Sequence, residues 1–225
     1  MNLFNFIHRD FHSENILAVN ILWLIGDLGL SQPANNTSNN EIYGVIPYIA
    51  PEIFKGAAFS KESDIYSVGM IMWELTTGCK PFANVEHDTD LIYEIIDGKR
   101  PEITSDTPEC FANLMKRCWD PDPLKRPSIL EIEDTVRKWW TGCANGLNLH
   151  IVKQFEQAEK RRIGLIQSKK LGPEFSEKPH PKAIFTSRPL SSLTSKFSYS
   201  SSIITFNMRQ GMYYFTNHFG LILYW

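Results

Sequence analysis

Three short clusters of polar and charged residues, in a fixed order, constrain this chain more than any other feature. The first runs from His8 to Asn15 and reads HRDFHSEN, the second is Asp27-Leu28-Gly29, and the third is Ala50-Pro51-Glu52. The Asp and the Asn of the first cluster are five positions apart, and 25 positions separate Asp27 from Glu52. Each cluster alone would be an ordinary turn or a salt-bridged loop. Their order and spacing together make a chance arrangement improbable.

The segments around these clusters predict a few strands followed by helices. Asn15 to Ile25 reads as two short apolar strands hinged near Asn20, and a polar loop from Ser31 to Glu41 follows them. Asp64 to Thr76 is apolar on most sides, which predicts a helix that is buried all round.

Capping signals predict the later helices. Thr107-Pro108 fits an N-cap with proline at N1, which opens a helix that runs to about Trp119. Ser128 and Glu131 fit a capping box, so another helix is expected to run to about Trp139. Apolar residues at helical spacing from Leu147 to Ile163 predict one more amphipathic helix that docks on the rest.

Charge divides the chain into two regions, with a boundary near Trp140. Residues 1–140 carry a net charge of -9, and residues 141–225 carry +7. The second region loses periodicity by about residue 170 and is rich in serine between Ser187 and Ser202, so we expect a tail of low order there. A solvated helix and linker explain its basic charge better than a nucleic-acid site does.

Cysteine usage and apolar runs bound the setting of the chain. Its four cysteines lack CxxC spacing and predict reduced thiols, hence a cytosolic or nuclear protein. The opening residues lack the basic and apolar regions of a signal peptide, and no apolar run approaches the ~20 residues of a membrane span. Secretion and membrane insertion are therefore disfavoured.

The three clusters resemble the catalytic loop, the metal-binding turn and the end of the activation segment of protein kinases. Further along the chain, Asp64 to Gly69, Cys118-Trp119 and Arg126-Pro127 resemble the later helices of that family. The resemblance covers about residues 3–140. It implies the mainly helical carboxy-terminal lobe of the kinase-like α+β fold.

The resemblance implies ATP and Mg²⁺ as the reagents and a protein hydroxyl as the acceptor. Asp10 is the expected base for the incoming hydroxyl. Asp27 and Asn15 would supply oxygen ligands to Mg²⁺, and Gly29 would permit the turn that aims Asp27.

Supporting roles follow from the same resemblance. His8 is expected to pack under the loop as a structural residue. Arg9, beside the base, would pair with a phosphorylated residue of the activation segment. Thr37, Ser38 and Tyr43 are the candidates, and the sequence favours none of them.

Two further positions are expected to hold the site in place. Asp64 is either a partner of its own helix dipole or, as the resemblance implies, an acceptor for backbone amides of the catalytic loop. Glu52 and Arg126 would form the ion pair that anchors the activation segment.

Two positions depart from the family pattern. Active kinases usually carry Lys two positions after the catalytic Asp, and Ser/Thr-directed ones usually carry Thr after the Gly of the segment that receives substrate; this chain has His12 and Val45. An imidazole would stabilise a transferred phosphate less than an ammonium does, which predicts slower catalysis or different contacts.

The kinase group is indicated by other positions. Cys118-Trp119, Tyr66, Trp73 and His12-Ser13 resemble the tyrosine-kinase-like group. The stretch from Gly44 to Glu52 follows the spacing of Ser/Thr-directed enzymes, so Ser/Thr is favoured and Tyr stays open.

Only seven residues precede His8. We therefore expect this chain to lack the Gly-rich loop, the strand lysine and the helix glutamate of the amino-terminal lobe, and to have no appreciable kinase activity alone. Two hypotheses result: the carboxy-terminal lobe of a signalling protein kinase, or a non-catalytic interaction module whose exposed lobe face a partner covers.

Overall fold

The computed structural model describes residues 6–19, 22–34, 41–144, 146, 148–173, 179–194 and 213–214. Helices dominate these residues, and the sheets are small, which confirms the mainly helical α+β class. The helices are α1 (Pro51–Phe54), α2 (Lys61–Thr77), α3 (Thr89–Ile96), α4 (Glu109–Cys118), α5 (Ile129–Ala144), α6 (Leu149–Gln167) and α7 (Ser191–Thr194). The strands are β1 (Phe6–Ile7), β2 (Ile16–Val19), β3 (Leu22–Ile25), β4 (Gln32–Pro33), β5 (Tyr43–Gly44), β6 (Arg188–Pro189) and β7 (Tyr213–Tyr214).

The two apolar strands expected after Asn15 form the antiparallel pair β2 and β3, in which Ile16 lies opposite Ile25. Strand β3 also pairs with β7. Strand β1 pairs with β4. Strand β5 pairs with β6, so the chain near residue 43 meets the chain near residue 189.

Helix α2 is the centre of the core. It begins after Ser60, whose hydroxyl forms a reciprocal capping box with Ser63, and it ends at Gly78 in the left-handed region with φ 68°. Every residue from Ile65 to Trp73 is buried, as predicted for a helix without a solvent face. The indole of Trp73 donates to the Glu102 carbonyl oxygen at 2.7 Å, so its one polar atom is satisfied.

Helices α4 and α5 differ from their predicted ends. Thr107 is not the N-cap of α4: that place belongs to Pro108, which has extended backbone geometry, and the Thr107 hydroxyl meets Thr104 instead. In α5 the Ser128 hydroxyl accepts from the Glu131 amide at 3.2 Å. The Glu131 carboxylate accepts from Arg117 at 2.6 Å, and this contact, together with one to the Ser128 backbone, lowers the pKa of Glu131.

Helix α6 lies against the lobe. Asn148 caps its first turn by accepting from the Ile151 amide. Phe155 and Ala158 are buried, and the Phe155 ring packs edge-on against Trp139 of α5. The predicted helix thus begins two residues later and ends four residues later than its pattern indicates; Leu147 lies outside the described residues.

Residues 179–194, which we call the docked segment, return to the lobe after α6. Its contacts include the β5–β6 pairing and hydrogen bonds from the His180 amide to the Ala83 carbonyl (2.6 Å) and from the His87 amide to the Lys182 carbonyl (3.1 Å). In the part of the chain that the structure describes, no helix has both the length and the apolar character to cross a lipid bilayer.

Candidate active site

The β2–β3 pair brings two of the predicted site residues together. Because Ile16 lies opposite Ile25, the residues just outside this pair, Asn15 and Gly26, are also neighbours. The Gly26 amide donates to the Asn15 carbonyl oxygen at 2.8 Å. Asp27 follows directly, so residues twelve positions apart in the sequence reach the same edge of the hairpin.

The turn at Asp27 differs in one respect from the sequence prediction. Asp27 itself has the left-handed backbone conformation, with φ 51°, which Asp tolerates better than most residues do. Gly29 lies in a 3-10 helix, Leu28–Leu30, and has no positive φ. A Cβ atom at Gly29 would lie 3.4 Å from Asp27 Oδ1. That distance is an ordinary van der Waals contact, so Gly29 does not make the turn.

Asn15 and Asp27 fit a magnesium site in their chemistry. Asn15 Nδ2 donates to the Asp10 carbonyl oxygen at 2.8 Å, which leaves the amide oxygen as the ligand atom. Asp27 is exposed, so its carboxylate is open to a ligand. Mg²⁺ commonly takes one or two ligands from a protein and completes its shell with water and phosphate oxygens. Among the described residues, no group of three or more His, Cys, Asp or Glu side chains could hold a metal ion.

Asp10 and His12 meet at a serine hydroxyl. Asp10 is buried, and its Oδ1 accepts from Ser187 Oγ at 2.8 Å. His12 Nε2 lies 3.0 Å from the same Ser187 oxygen and 3.7 Å from Asp10 Oδ1. Because the serine proton is directed at Asp10, the imidazole must donate to Ser187 through Nε2–H. One hydroxyl is thus held between a carboxylate and an N–H donor.

His8 and Asp64 fasten the loop that carries Asp10. The two oxygens of Asp64, at the start of α2, accept from the His8 amide at 2.6 Å and the Arg9 amide at 3.1 Å. Removal from water raises the pKa of the Asp64 carboxyl to about 7, although both amide hydrogen bonds oppose that rise. The contacts match the role of amide acceptor rather than that of a helix-dipole partner alone.

The His8 ring connects this loop to the turn at Asp27. Its Nε2 lies 3.0 Å from the Gly26 carbonyl oxygen, which can only accept, so Nε2 carries the proton. The other ring nitrogen is buried without a hydrogen-bond partner. Burial lowers the pKa of His8, so the ring is neutral and serves as a structural link between the two loops.

Arg9 contacts the segment that the sequence predicts to be the activation segment. Its backbone is left-handed, with φ 71°, and its guanidinium donates to the Glu41 carbonyl oxygen at 3.3 Å and lies over the Phe59 ring. The Tyr43 hydroxyl donates elsewhere, to the Ser187 carbonyl oxygen at 3.2 Å. Thr37 and Ser38 lie outside the described residues.

Glu52 and Arg126 form a bidentate pair. Arg126 Nη1 and Nη2 donate to Glu52 Oε1 and Oε2 at 2.6 and 2.8 Å. The remaining donors of the guanidinium reach the Asp120 and Glu62 carbonyl oxygens. The pair ties α1, which contains the last two residues of the third cluster, to the loop before α5.

Comparison with known proteins decides what this arrangement belongs to. The profile of the family described as protein tyrosine and serine/threonine kinase matches residues 1–136. The chain belongs to the protein kinase family. Stress-activated protein kinase alpha of Dictyostelium discoideum is 39% identical over 142 residues, which cover 56% of this chain and 22% of that protein. A probable serine/threonine-protein kinase of the same organism is 38% identical over 144 residues, or 58% of this chain and 6% of that protein. The chain therefore spans less than a quarter of either relative.

Within this family, the source of the hydroxyl at Asp10 differs from the one that the family pattern suggests. Val45 stands where Ser/Thr-directed kinases usually carry Thr, and it is buried with no hydroxyl to offer. The hydroxyl that reaches Asp10 comes from Ser187, in the docked segment. The sequence does not single out Ser187, because it is the first serine of a low-complexity run with no helical or strand period.

Gly44 is a second kinase residue whose role the sequence did not reveal. Its φ is 141°, and a Cβ atom there would lie 3.1 Å from Asp10 Oδ1 and 3.2 Å from Ile49 Cδ1. Glycine therefore allows this segment to approach Asp10 closely. The sequence feature that could have indicated this role is the position of Gly44 directly before Val45, in the segment that receives substrate in this family.

Proposed function

We propose that this chain forms the acceptor side of a protein kinase active site, and that the protein carrying it transfers the γ-phosphoryl group of ATP to Ser or Thr hydroxyls of a protein substrate. The observation that carries this proposal is the 2.8 Å hydrogen bond from a serine hydroxyl to Asp10 Oδ1. A carboxylate that accepts this hydrogen can take the proton as the oxygen attacks phosphorus.

Each site residue has a distinct part in the proposed reaction. Asp10 orients the hydroxyl and takes its proton. His12 donates an N–H to the same oxygen from a position next to Asp10, and so helps to fix where the hydroxyl lies. Asn15 and Asp27 would hold Mg²⁺, which supplies positive charge to the nucleotide phosphates when it is bound.

Specificity for Ser and Thr is supported by two observations. The hydroxyl at Asp10 belongs to a serine side chain, which is much shorter than tyrosine. Both relatives described above are named as protein kinases, and the relative that is 38% identical is named as a serine/threonine-protein kinase. A tyrosine substrate would need to place its hydroxyl at the same carboxylate from a backbone several ångströms further away.

Free thiols support a reducing compartment for this kinase. Cys79, Cys110, Cys118 and Cys143 form no disulfide, and burial raises the pKa of each thiol. Thiols that stay protonated react slowly with oxidants and disulfides. A cytosolic or nuclear location is part of the proposal.

A second candidate is a non-catalytic interaction module. His12 favours it, since a buried imidazole replaces the usual lysine, and Leu17 of β2 gives the hairpin an exposed apolar side chain that a partner could cover. A melting temperature that rises with MgATP would favour the kinase, and one that does not respond would favour the module.

The experiment that tests the kinase uses the full protein that contains this chain. Serine and tyrosine versions of one peptide are offered with MgATP to the wild type and to Asp10→Asn, Asp27→Asn and Asp97→Asn. The first two changes should lower the rate by about 100-fold or more. Asp97→Asn is the matched control, because that carboxylate is exposed at the end of α3. Equal rates in all four proteins would overturn the proposal.

A further inference from the structure

The docked segment, residues 179–194, lies along the activation segment as an added strand. Strand β6 pairs antiparallel with β5, so that Gly44 lies opposite Arg188 and Tyr43 opposite Pro189. The Leu190 amide extends this pairing by donating to the Ile42 carbonyl oxygen at 2.9 Å. Addition of a strand to an exposed edge is a common way for proteins to bind extended peptides.

Side chains on both sides of Ser187 anchor this strand. Leu190 is completely buried in the hydrophobic core. On the other side, the Phe185 ring packs edge-on against His87 at 4.8 Å between centroids. Arg188 Nη2 donates to the His87 carbonyl oxygen at 2.8 Å. The register of Ser187 is therefore set from both directions.

Ser187 is the residue of this strand that reaches the catalytic base. Its hydroxyl donates to Asp10, its oxygen accepts from His12, and its carbonyl oxygen accepts from the Tyr43 hydroxyl. Both the side chain and the backbone of Ser187 are thus held by residues of the catalytic loop and the activation segment. This is the arrangement that an acceptor peptide requires before phosphoryl transfer.

We propose that the docked segment is an acceptor peptide bound in cis and that Ser187 is its phosphorylation site. The proposal rests on the kinase function proposed above and names one substrate of it. A lone pair of Ser187 Oγ forms a bond to the γ-phosphorus of ATP. The bond from that phosphorus to the β,γ-bridging oxygen breaks, and its electron pair leaves with ADP. The hydroxyl proton passes to the Asp10 carboxylate.

The product would no longer fit the site. A phosphoserine carries close to two negative charges at neutral pH. These charges would lie beside the Asp10 carboxylate, which is buried and 2.8 Å from the unmodified oxygen. Like-charge repulsion should release the segment and open the strand edge at β5 for other substrates.

The first test locates the phosphate. The full protein is incubated with MgATP over a 100-fold range of protein concentration, with a serine peptide present, and both products are mapped by mass spectrometry. We expect phosphate on Ser187 at a rate that does not depend on protein concentration, and its loss in Asp10→Asn. Ser191→Ala, in the exposed first turn of α7, is the matched control for Ser187→Ala and should keep the modification.

The outcomes separate this inference from the kinase function. Phosphate on the added peptide with none on Ser187 would overturn the inference and leave the kinase function standing, since Ser187 would then be a structural hydroxyl. Phosphate on Ser187 that appears only at a rate proportional to protein concentration would overturn binding in cis. Phosphate on neither substrate would overturn both proposals.

A second test needs no catalysis. Hydrogen exchange of the unmodified protein should show protected amides at Leu190 and on the neighbouring strand β5. Leu190→Asp should lower this protection at least tenfold, and Leu171→Asp should not, because Leu171 is exposed and precedes the docked segment. Ser187→Glu, which leaves the core intact, should act like Leu190→Asp. Unprotected amides in the wild type would overturn the inference.

Discussion

The guanidinium of Arg126 holds the carboxylate of Glu52 through two parallel hydrogen bonds, and the Arg126 side chain has no exposed surface. This pair joins the end of the activation segment to the loop before α5. Arg126 also lies over the ring of the buried Tyr66, so the cation is enclosed by a carboxylate, two carbonyl oxygens and an aromatic face. Such a pair depends on both partners being present.

Removal of one partner should therefore be costly. We expect Glu52→Gln to lower the free energy of unfolding by about 3 kcal/mol, because an uncompensated buried guanidinium remains. Urea denaturation measures the change. The control is Glu131→Gln, which breaks the exposed Arg117–Glu131 pair and should cost less than about 1 kcal/mol. Similar costs for the two variants would contradict the argument.

Gly44→Ala should damage the acceptor site. The new Cβ atom would lie 3.1 Å from Asp10 Oδ1, and φ 141° is unfavourable for alanine. We expect a loss of about 1–3 kcal/mol in stability and a fall of about 10-fold or more in kinase rate. Gly56→Ala is the control, since Gly56 has φ 92° with nothing within 4 Å of a Cβ atom. It shares the backbone strain, and a comparable loss of rate there would show that contact with Asp10 is unimportant.

Gly69→Ala should weaken the contact between α2 and α4. A Cβ atom at Gly69 would lie 2.9 Å from Cys118 Cβ and 3.3 Å from the Met115 carbonyl oxygen, neither of which is the end of a flexible side chain. We expect thermal or urea unfolding to show a loss of about 1–3 kcal/mol. Gly164→Ala, in α6 with open space around it, should instead gain about 0.5–1 kcal/mol. A neutral result at Gly69 would mean that the two helices can move apart freely.

Docking of residues 179–194 should weaken as the pH falls. His87 Nδ1 lies 2.8 Å from the Ile184 carbonyl oxygen, and Nε2 lies 3.1 Å from the Phe82 carbonyl oxygen. Burial lowers the pKa of His87, and the positive charge of Arg188 lowers it further. The two carbonyl contacts and Asp88 oppose this decrease. A released His87 takes up a proton below about pH 6.5, whereas the docked one resists it, so acid favours release.

Exchange protection factors for the docked segment, corrected for intrinsic rates, should therefore be lower at pH 5.5 than at pH 7.5. His87→Gln has no titrating ring, and its protection should change less over the same interval. An unchanged pH profile in this variant would assign the effect to another group.

Local pattern predicted the two strands on which part of the candidate site is built, whereas the roles expected for Asp10, Asn15 and Asp27 came from the family resemblance. The β2–β3 pair follows from two apolar runs with a hinge, and its register alone places Asn15 beside Gly26. The Glu52–Arg126 contact was expected only through the family resemblance. The predicted start of α4 was one residue too early. Both Thr-Pro and Pro-Glu are acceptable helix starts, and tertiary contacts decide between them.

The docked segment could not be predicted in the same way. Tyr43 and Ser187 are 144 positions apart, and strands of two residues have no period that a sequence can display. Its anchors are single residues, such as Leu190 and Phe185, which resemble scattered apolar residues of a linker. The contact depends on complementarity between two surfaces, and neither surface is visible in the local sequence.

If the docked segment is the acceptor peptide proposed above, the route from α6 to β6 gives the proposed kinase a competitor within its own chain. Helix α6 is fixed to the lobe through Phe155, and only eleven residues separate its end at Gln167 from Pro179. A ligand on so short a tether has an effective concentration on the order of millimolar. A free protein substrate at micromolar concentration therefore meets an occupied site. The apparent Michaelis constant of such a substrate should depend on the effective concentration of the docked segment as well as on the substrate's own affinity. Removal of the segment should leave only the second dependence.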